Sequence, residues 1–231
     1  MDHQHDNLGN PAVPGMAGGL IVTLFALVLA ILLSQVALIA WGDPEAMRFT
    51  EQGLAPSHFM VLALCSAAGF LTVSGLLGVL FRGRVDLALC REDLVPAAGA
   101  LAAVVLANLA GTTAGRWIGE EYSGAPDLSS WGTATAGVVL VAVLLAPAVE
   151  ELFFREMLLA RVLAGAPRWL AITATATAFG AFHLAAGGLA LMLTLAFMGV
   201  VLAWVRLRTG SLAAPFLVHA LNNAIAIAFL S

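Results

Sequence analysis

The sequence predicts an all-α polytopic membrane protein with about seven transmembrane helices, and three observations support this fold class. Of 231 residues, 61% are hydrophobic and only 10% are charged, whereas soluble domains carry about 25% charged residues. The mean hydropathy is +0.98. Seven apolar runs follow one another, and most reach or approach the roughly 20 residues that cross about 30 Å of hydrocarbon. The runs cover Met16–Trp41, His58–Phe81, Leu94–Ala114, Thr133–Leu159, Trp169–Leu184, Leu189–Val205 and Leu212–Leu230.

The polar residues divide the chain into three parts. Residues 1–15 form a polar tail that lacks the basic start of a cleavable signal, so we expect the first helix to be retained. Residues 16–132 hold three spans and an external loop, and the only titratable Asp, Glu, Lys, Arg or His in those spans is His58 at a boundary. These spans are predicted to be scaffold or access helices. Residues 133–231 hold the polar core.

The fourth span contains Glu150, Glu151 and Arg155. Each such charge near the bilayer centre costs roughly 2.5 to 3.5 kcal/mol, which favours a functional role. The structural interpretation is a buried ion pair between Glu151 and Arg155, which lie four residues apart on one helix face. Glu150 is rotated by about 100° and is expected to face a different neighbour. Glu156 lies nearer the span end and is expected to be solvated.

Three further polar residues occur at a similar depth, namely His183 in the fifth span and His219 and Asn223 in the seventh. At about 1.5 Å per residue, these residues and Glu150 lie roughly 12 to 22 Å from the predicted cytoplasmic ends of their spans. All four therefore fall near the bilayer middle. We expect spans four, five and seven to converge on one polar pocket.

The residue types in this pocket suit hydrolysis of a peptide bond by activated water. A carboxylate with a histidine can hold and deprotonate water, and a histidine with an asparagine can stabilise an oxyanion. The alternative is a zinc ion held by Glu150, His183 and His219. The sequence has no His-Glu-x-x-His zinc motif.

Three ordered motifs resemble those of the CAAX protease and bacteriocin-processing (CPBP, or Abi) family, which includes the Ras-converting CAAX endopeptidase. They are Glu-Glu-x-x-x-Arg at 150–155, Phe-x-x-x-His at 179–183 and His-x-x-x-Asn at 219–223. The resemblance covers roughly residues 133–231. It implies a glutamic-type intramembrane endopeptidase, for which we expect no metal or other cofactor.

The resemblance also implies a role for each motif residue. Glu150 would activate water with His183 as its partner, and His219 and Asn223 would form the oxyanion hole. Glu151, Arg155 and Phe179 would support the site. Eukaryotic members have a further helix after the one that bears His219, which argues against a CAAX substrate here. The protein would resemble a bacterial, myxosortase-like sorting branch of the family. Its substrates would then be surface proteins whose carboxyl-terminal anchoring helix is trimmed.

The same residues allow other classes of membrane protein. A non-catalytic scaffold, a bacteriocin-immunity protein or a transporter with a proton relay could also use buried glutamates and histidines. A nucleic-acid partner is not expected, because the net charge is −4 and no basic patch stands out. The expected partners are the lipid bilayer and a membrane-anchored protein or peptide.

The arginines predict the orientation in a bacterial cell membrane. All ten basic residues are arginines, and most of those outside the spans fall in the second, fourth and sixth loops. Cytoplasmic loops are enriched in basic residues. The amino terminus is therefore predicted to be cytoplasmic and the carboxyl terminus external.

Overall fold

A computed structural model describes residues 14–41, 56–120 and 135–230 of the chain. Within these ranges the chain forms seven helices, which agrees with the predicted fold class. They are α1 (Met16–Trp41), α2 (Pro56–Leu80), α3 (Arg91–Trp117), α4 (Thr135–Val162), α5 (Arg168–Phe182), α6 (Leu184–Thr209) and α7 (Ala213–Leu230). The tail at residues 1–13 lies outside the described residues.

Five of these described helices, α1, α2, α3, α4 and α6, are long and apolar enough to cross a membrane. Helix α5 has 15 residues and α7 has 18, which correspond to about 22 and 27 Å. Both are shorter than a bilayer core of about 30 Å. The chain is an integral membrane protein, and two of its seven predicted spans are short helices.

The boundary between the fifth and sixth predicted spans lies elsewhere than the sequence indicates. Helix α5 ends at Phe182 and α6 begins at Leu184, so that His183 separates them. Helix α6 runs through the Gly187-Gly188 pair, although Gly188 has a φ of 72°. The helix break is therefore at His183 itself.

Helix α4 occupies the centre of the bundle and contacts α1, α2, α5, α6 and α7. Its residues Thr135–Leu140 and Ala146–Glu151 are α-helical, whereas Val141–Leu145 and Leu152–Val162 have the wider π-helical turn. Wide turns of this kind occur often at functional sites. The two adjacent glutamates lie between the two wide segments.

Small residues bring the helices close together, as expected for helices in lipid. A Cβ atom at Gly69 would collide with Ser34 of α1, and one at Gly111 would collide with Thr194 of α6. At Gly69 of α2 and Gly111 of α3, the missing side chain therefore allows close helix packing. The contact at Gly111 also places α3 directly against α6.

An aromatic cluster fills the space between α2, α4 and α5. The Phe70 ring lies 4.7 Å from Phe153, 5.5 Å from Phe154 and 4.8 Å from Phe182, measured between centroids. Phe154 in turn lies 5.2 Å from Phe179. Aromatic pairs at such distances add about 0.5 to 1.5 kcal/mol beyond their buried area. This packed aromatic cluster lies next to the buried polar residues of α4 and limits their movement.

Candidate active site

The Glu151 carboxylate lies at the centre of a buried polar cluster. Its Oε1 atom accepts a hydrogen bond of 2.9 Å from Nδ1 of His219, and its Oε2 atom lies 3.3 Å from Nε of Arg155. The side chain is fully buried. The predicted pair with Arg155 is therefore present, and α4 is joined to α7 through the same carboxylate.

Arg155 and Phe179 support this cluster from one side. The Arg155 guanidinium is buried and lies 4.7 Å from the centroid of the Phe179 ring, in a cation–π contact. The Phe179 ring also lies 5.8 Å from the ring of His219. Phe179 thus limits the positions that the arginine and the histidine can adopt.

Glu150 shares His219 with Glu151, which corrects the expectation that the two glutamates face different neighbours. Its Oε2 atom lies 3.7 Å from Nε2 of His219, the ring nitrogen that Glu151 does not use. One imidazole can meet both carboxylates because its nitrogens point in different directions. The Glu150 side chain is 13% exposed, whereas that of Glu151 is completely buried.

His183 lies at the break between α5 and α6 and is partly buried. Its Nδ1 atom is 2.8 Å from the backbone carbonyl of Phe179, and a carbonyl oxygen only accepts. Nδ1 therefore donates, and a neutral ring presents Nε2 as an acceptor. Within the described residues no hydrogen bond or ion pair joins His183 to Glu150.

Asn223 is one helical turn after His219, and its Nδ2 atom donates to the backbone carbonyl of Ala142 at 2.9 Å. Ala142 belongs to the first wide segment of α4. An amide nitrogen carries two hydrogens, so one remains for another acceptor. The structure thus brings Glu150, His219 and Asn223 to the interface of α4 and α7.

Two asparagines extend this network, and neither was predicted to belong to the site. Nδ2 of Asn222 donates to Oδ1 of Asn223 at 3.4 Å, and Nδ2 of Asn108 on α3 donates to Oδ1 of Asn222 at 2.8 Å. Both residues are buried. An asparagine inside a predicted span is the signal that could have identified each of them.

Glu156 is buried, so the expectation that it is solvated is wrong. Its Oε1 atom lies 2.8 Å from Arg161, and its Oε2 atom lies 2.8 Å from Arg206 on α6. Arg161 also donates to the carbonyl of Phe81 at the end of α2. The carboxylate is compensated by two arginines that join the ends of three helices.

Glu120 follows α3 and contacts the segment after His183. Its carboxylate accepts hydrogen bonds from the backbone N–H groups of Leu189 at 3.1 Å and Ala190 at 2.8 Å. A side chain at Gly188 would place a Cβ atom 2.8 Å from this carboxylate. Glu121 and Asp127 lie outside the described residues.

In the described ranges no three His, Cys, Asp or Glu side chains form a group that could hold a metal ion. Glu150, His183 and His219, which a zinc ion would need together, are all described residues. His183 is hydrogen-bonded to a carbonyl of α5, and His219 contacts the carboxylates of Glu150 and Glu151.

Residues 132–225 match the family model described as type II CAAX prenyl endopeptidase Rce1-like. The match supports assigning residues 132–225 to the CAAX protease family. The match confirms the resemblance of the three motifs, because it contains Glu150, His183, His219 and Asn223. No curated protein and no solved structure matches the chain. The matched segment runs from just before α4 into α7, so α1, α2 and α3 lie outside it.

Proposed function

We propose that the chain is an intramembrane endopeptidase that hydrolyses a peptide bond of a membrane-tethered protein or peptide with water activated by Glu150. The family supports a membrane endopeptidase in general. The observation that carries the glutamate mechanism is the difference between two adjacent carboxylates. Glu151 is fully buried and held by His219 and Arg155, whereas Glu150 is partly exposed and lies 3.7 Å from one ring nitrogen.

In this mechanism Glu150 takes a proton from water as the water oxygen bonds to the carbonyl carbon of the substrate. His183 orients the water, because its Nε2 is an acceptor when Nδ1 donates to Phe179. The oxyanion is stabilised by the second N–H of Asn223 and by His219 when its Nε2 carries a hydrogen. The carbon–nitrogen bond then breaks, and Glu150 returns the proton to the leaving amine.

The substrate is proposed to be a membrane-anchored protein from the same bacterial cell. A sorting enzyme that trims a carboxyl-terminal anchoring helix, as in a myxosortase-like branch, fits a compact chain with the site between membrane helices. If deletion of the gene left the length and surface display of helix-anchored proteins unchanged, this substrate class would be wrong.

The glutamate mechanism is tested by co-expression of candidate anchored proteins with the wild type or with Glu150→Gln. The Gln change keeps the side-chain shape and removes the base, so we expect cleavage to fall at least about a hundredfold. New protein termini are identified by mass spectrometry. Glu92→Gln is the matched control, because Glu92 is exposed at the start of α3.

Equal cleavage by the wild type and Glu150→Gln would reject the proposed mechanism. If neither cleaved any candidate while deletion still gave a phenotype, a scaffold or immunity function would replace it. A scaffold tolerates the conservative change at Glu150, because the polar contacts of glutamine resemble those of glutamate.

The proposed orientation places the loop between α2 and α3 in the cytoplasm of a bacterial cell, with the amino terminus inside and the carboxyl terminus outside. Seven arginines between residues 82 and 208 lie in the loops, or at the helix ends, of this side. Cys90 is exposed in that loop and Cys65 is buried. A membrane-impermeant maleimide should therefore label Cys90 only after cells are permeabilised, and labelling of intact cells would reverse the orientation.

A further inference from the structure

Three asparagine amides form a hydrogen-bonded chain from α3 to the candidate site. Asn108 donates to Asn222, Asn222 donates to Asn223, and Asn223 donates to the carbonyl of Ala142. The heavy-atom distances are 2.8, 3.4 and 2.9 Å. Asn222 also contacts the sulfur of Met198 at 3.8 Å. The chain thus connects three helices through side-chain amides.

The direction of this chain is fixed at its α4 end. The Ala142 carbonyl can only accept, so Asn223 must turn its nitrogen toward it and its oxygen toward Asn222. Asn222 must then present its nitrogen to Asn223 and its oxygen to Asn108. The Asn222 oxygen therefore needs a hydrogen-bond donor at position 108, and Asn108 supplies it.

Asn108 contributes to the chain only as a donor. Its Oδ1 atom is buried and has no hydrogen-bond partner in the described part of the chain. A buried acceptor without a partner costs about 1 to 3 kcal/mol. The Asn108 side chain makes its favourable polar contact through Nδ2, which donates to Asn222.

We propose that Asn108 and Asn222 are positioning residues that hold the Asn223 amide in the orientation needed to stabilise the oxyanion. This inference rests on the proposed endopeptidase function. If the Asn223 amide rotated by 180°, its oxygen would replace the nitrogen and would repel a negative oxyanion. Asn108 lies on α3, outside the matched residues 132–225. The amino-terminal half of the protein would therefore take part in building the site.

The first test compares Asn108→Leu and Asn108→Asp with the wild type. The substrate is the protein that the co-expression experiment shows to be cleaved by the wild type and not by Glu150→Gln. Leucine removes the donor, and an ionised aspartate presents only acceptors to Asn222. We expect kcat to fall about tenfold or more with KM unchanged, because an oxyanion donor acts in the transition state. Leu109→Ala is the matched control, since Leu109 is exposed on the same helix, and should leave kcat unchanged.

A double variant separates positioning from general damage to the fold. If Asn108 acts through Asn223, Asn108→Leu should have no further effect on kcat in an Asn223→Ala background. Equal losses in both backgrounds would overturn the inference. So would an unchanged kcat for Asn108→Leu under conditions in which Glu150→Gln abolishes cleavage.

A second measurement needs no substrate. The chain has five asparagines, Asn7, Asn10, Asn108, Asn222 and Asn223, so ¹⁵N-asparagine labelling of the full protein in nanodiscs gives five side-chain amide pairs. Asn108→Leu should shift the amide signals of Asn222 and Asn223 and leave those of Asn7 and Asn10 in place. Unshifted Asn223 signals would overturn the amide chain. Retained cleavage by Glu150→Gln would instead reject the proposed function, and the amide signals would still decide whether the chain exists.

Discussion

Glu150 and Glu156 lie on the same helix, yet their carboxylates have different partners. Glu156 is 3% exposed and contacts Arg161 and Arg206 at 2.8 Å each. Glu150 is 13% exposed, and its carboxylate lies 3.7 Å from Nε2 of His219. One carboxylate has two arginines, whereas the other shares an imidazole with a neighbouring carboxylate. The first carboxylate connects helices, and the second is the one that we propose to activate water.

The numbers of positive and negative groups around Glu150 and Glu156 explain why their carboxylates are paired differently. Around Glu156 two guanidinium groups compensate one carboxylate, so its charge is neutralised by the protein itself. Around Glu150 and Glu151 there are two carboxylates, one guanidinium and one imidazole. Buried charges remain stable only when they are paired and hydrogen-bonded. The less complete pairing of Glu150 is a local cost that is consistent with a functional residue.

The largest expected effect on stability comes from Glu156→Gln. This change leaves Arg161 and Arg206 without their buried counter-charge, and breaking such a pair costs about 3 to 5 kcal/mol. Thermal unfolding in detergent should therefore occur at a clearly lower temperature, while cleavage per folded molecule is retained. Glu150→Gln is the matched control and should unfold close to the wild type.

The opposite pattern would reverse the comparison between the two glutamates. A stable Glu156→Gln protein without activity would assign the chemistry to Glu156. A strongly destabilised Glu150→Gln protein would make Glu150 a structural acid.

A smaller effect is expected for His219→Asn, which should lower the cleavage rate about a hundredfold. The Asn nitrogen occupies the position of Nδ1 and can keep the contact with Glu151, but no atom replaces Nε2 beside Glu150. Loss of one oxyanion donor costs about a hundred- to a thousandfold in kcat. We expect the folded fraction, measured by size-exclusion chromatography and thermal unfolding, to stay near that of the wild type. Full activity of this variant would remove Nε2 from the mechanism.

The sequence was sufficient to predict the fold class and the convergence of α4 and α7. The depth of Glu150, His219 and Asn223 along their spans follows from the helical rise alone, and the structure brings these residues together. The same reasoning placed His183 at a similar depth, and in the structure this residue directly follows the end of α5. Depth can be predicted because it depends on one helix at a time.

Lateral partners could not be predicted in the same way. Glu156 meets Arg206, which lies 50 residues away, and this contact depends on how α4 packs against α6. The prediction that Glu150 and Glu151 face different neighbours failed because one imidazole has two nitrogens and can lie between them. Asn108 was missed because an uncharged amide in α3 gives a weak sequence signal until Asn222 is known to face it.

The Glu156 contacts also bear on biosynthesis. Helix α4 leaves the ribosome carrying Glu151 and Glu156, but His219 and Arg206 follow 68 and 50 residues later. Chains are made from the amino terminus onward, so the nascent α4 has only Arg155 and Arg161 as counter-charges when it reaches the membrane. A chain that stops before α6 keeps its acids without their later partners. The last two helices therefore complete the neutralisation of a helix that was synthesised before them.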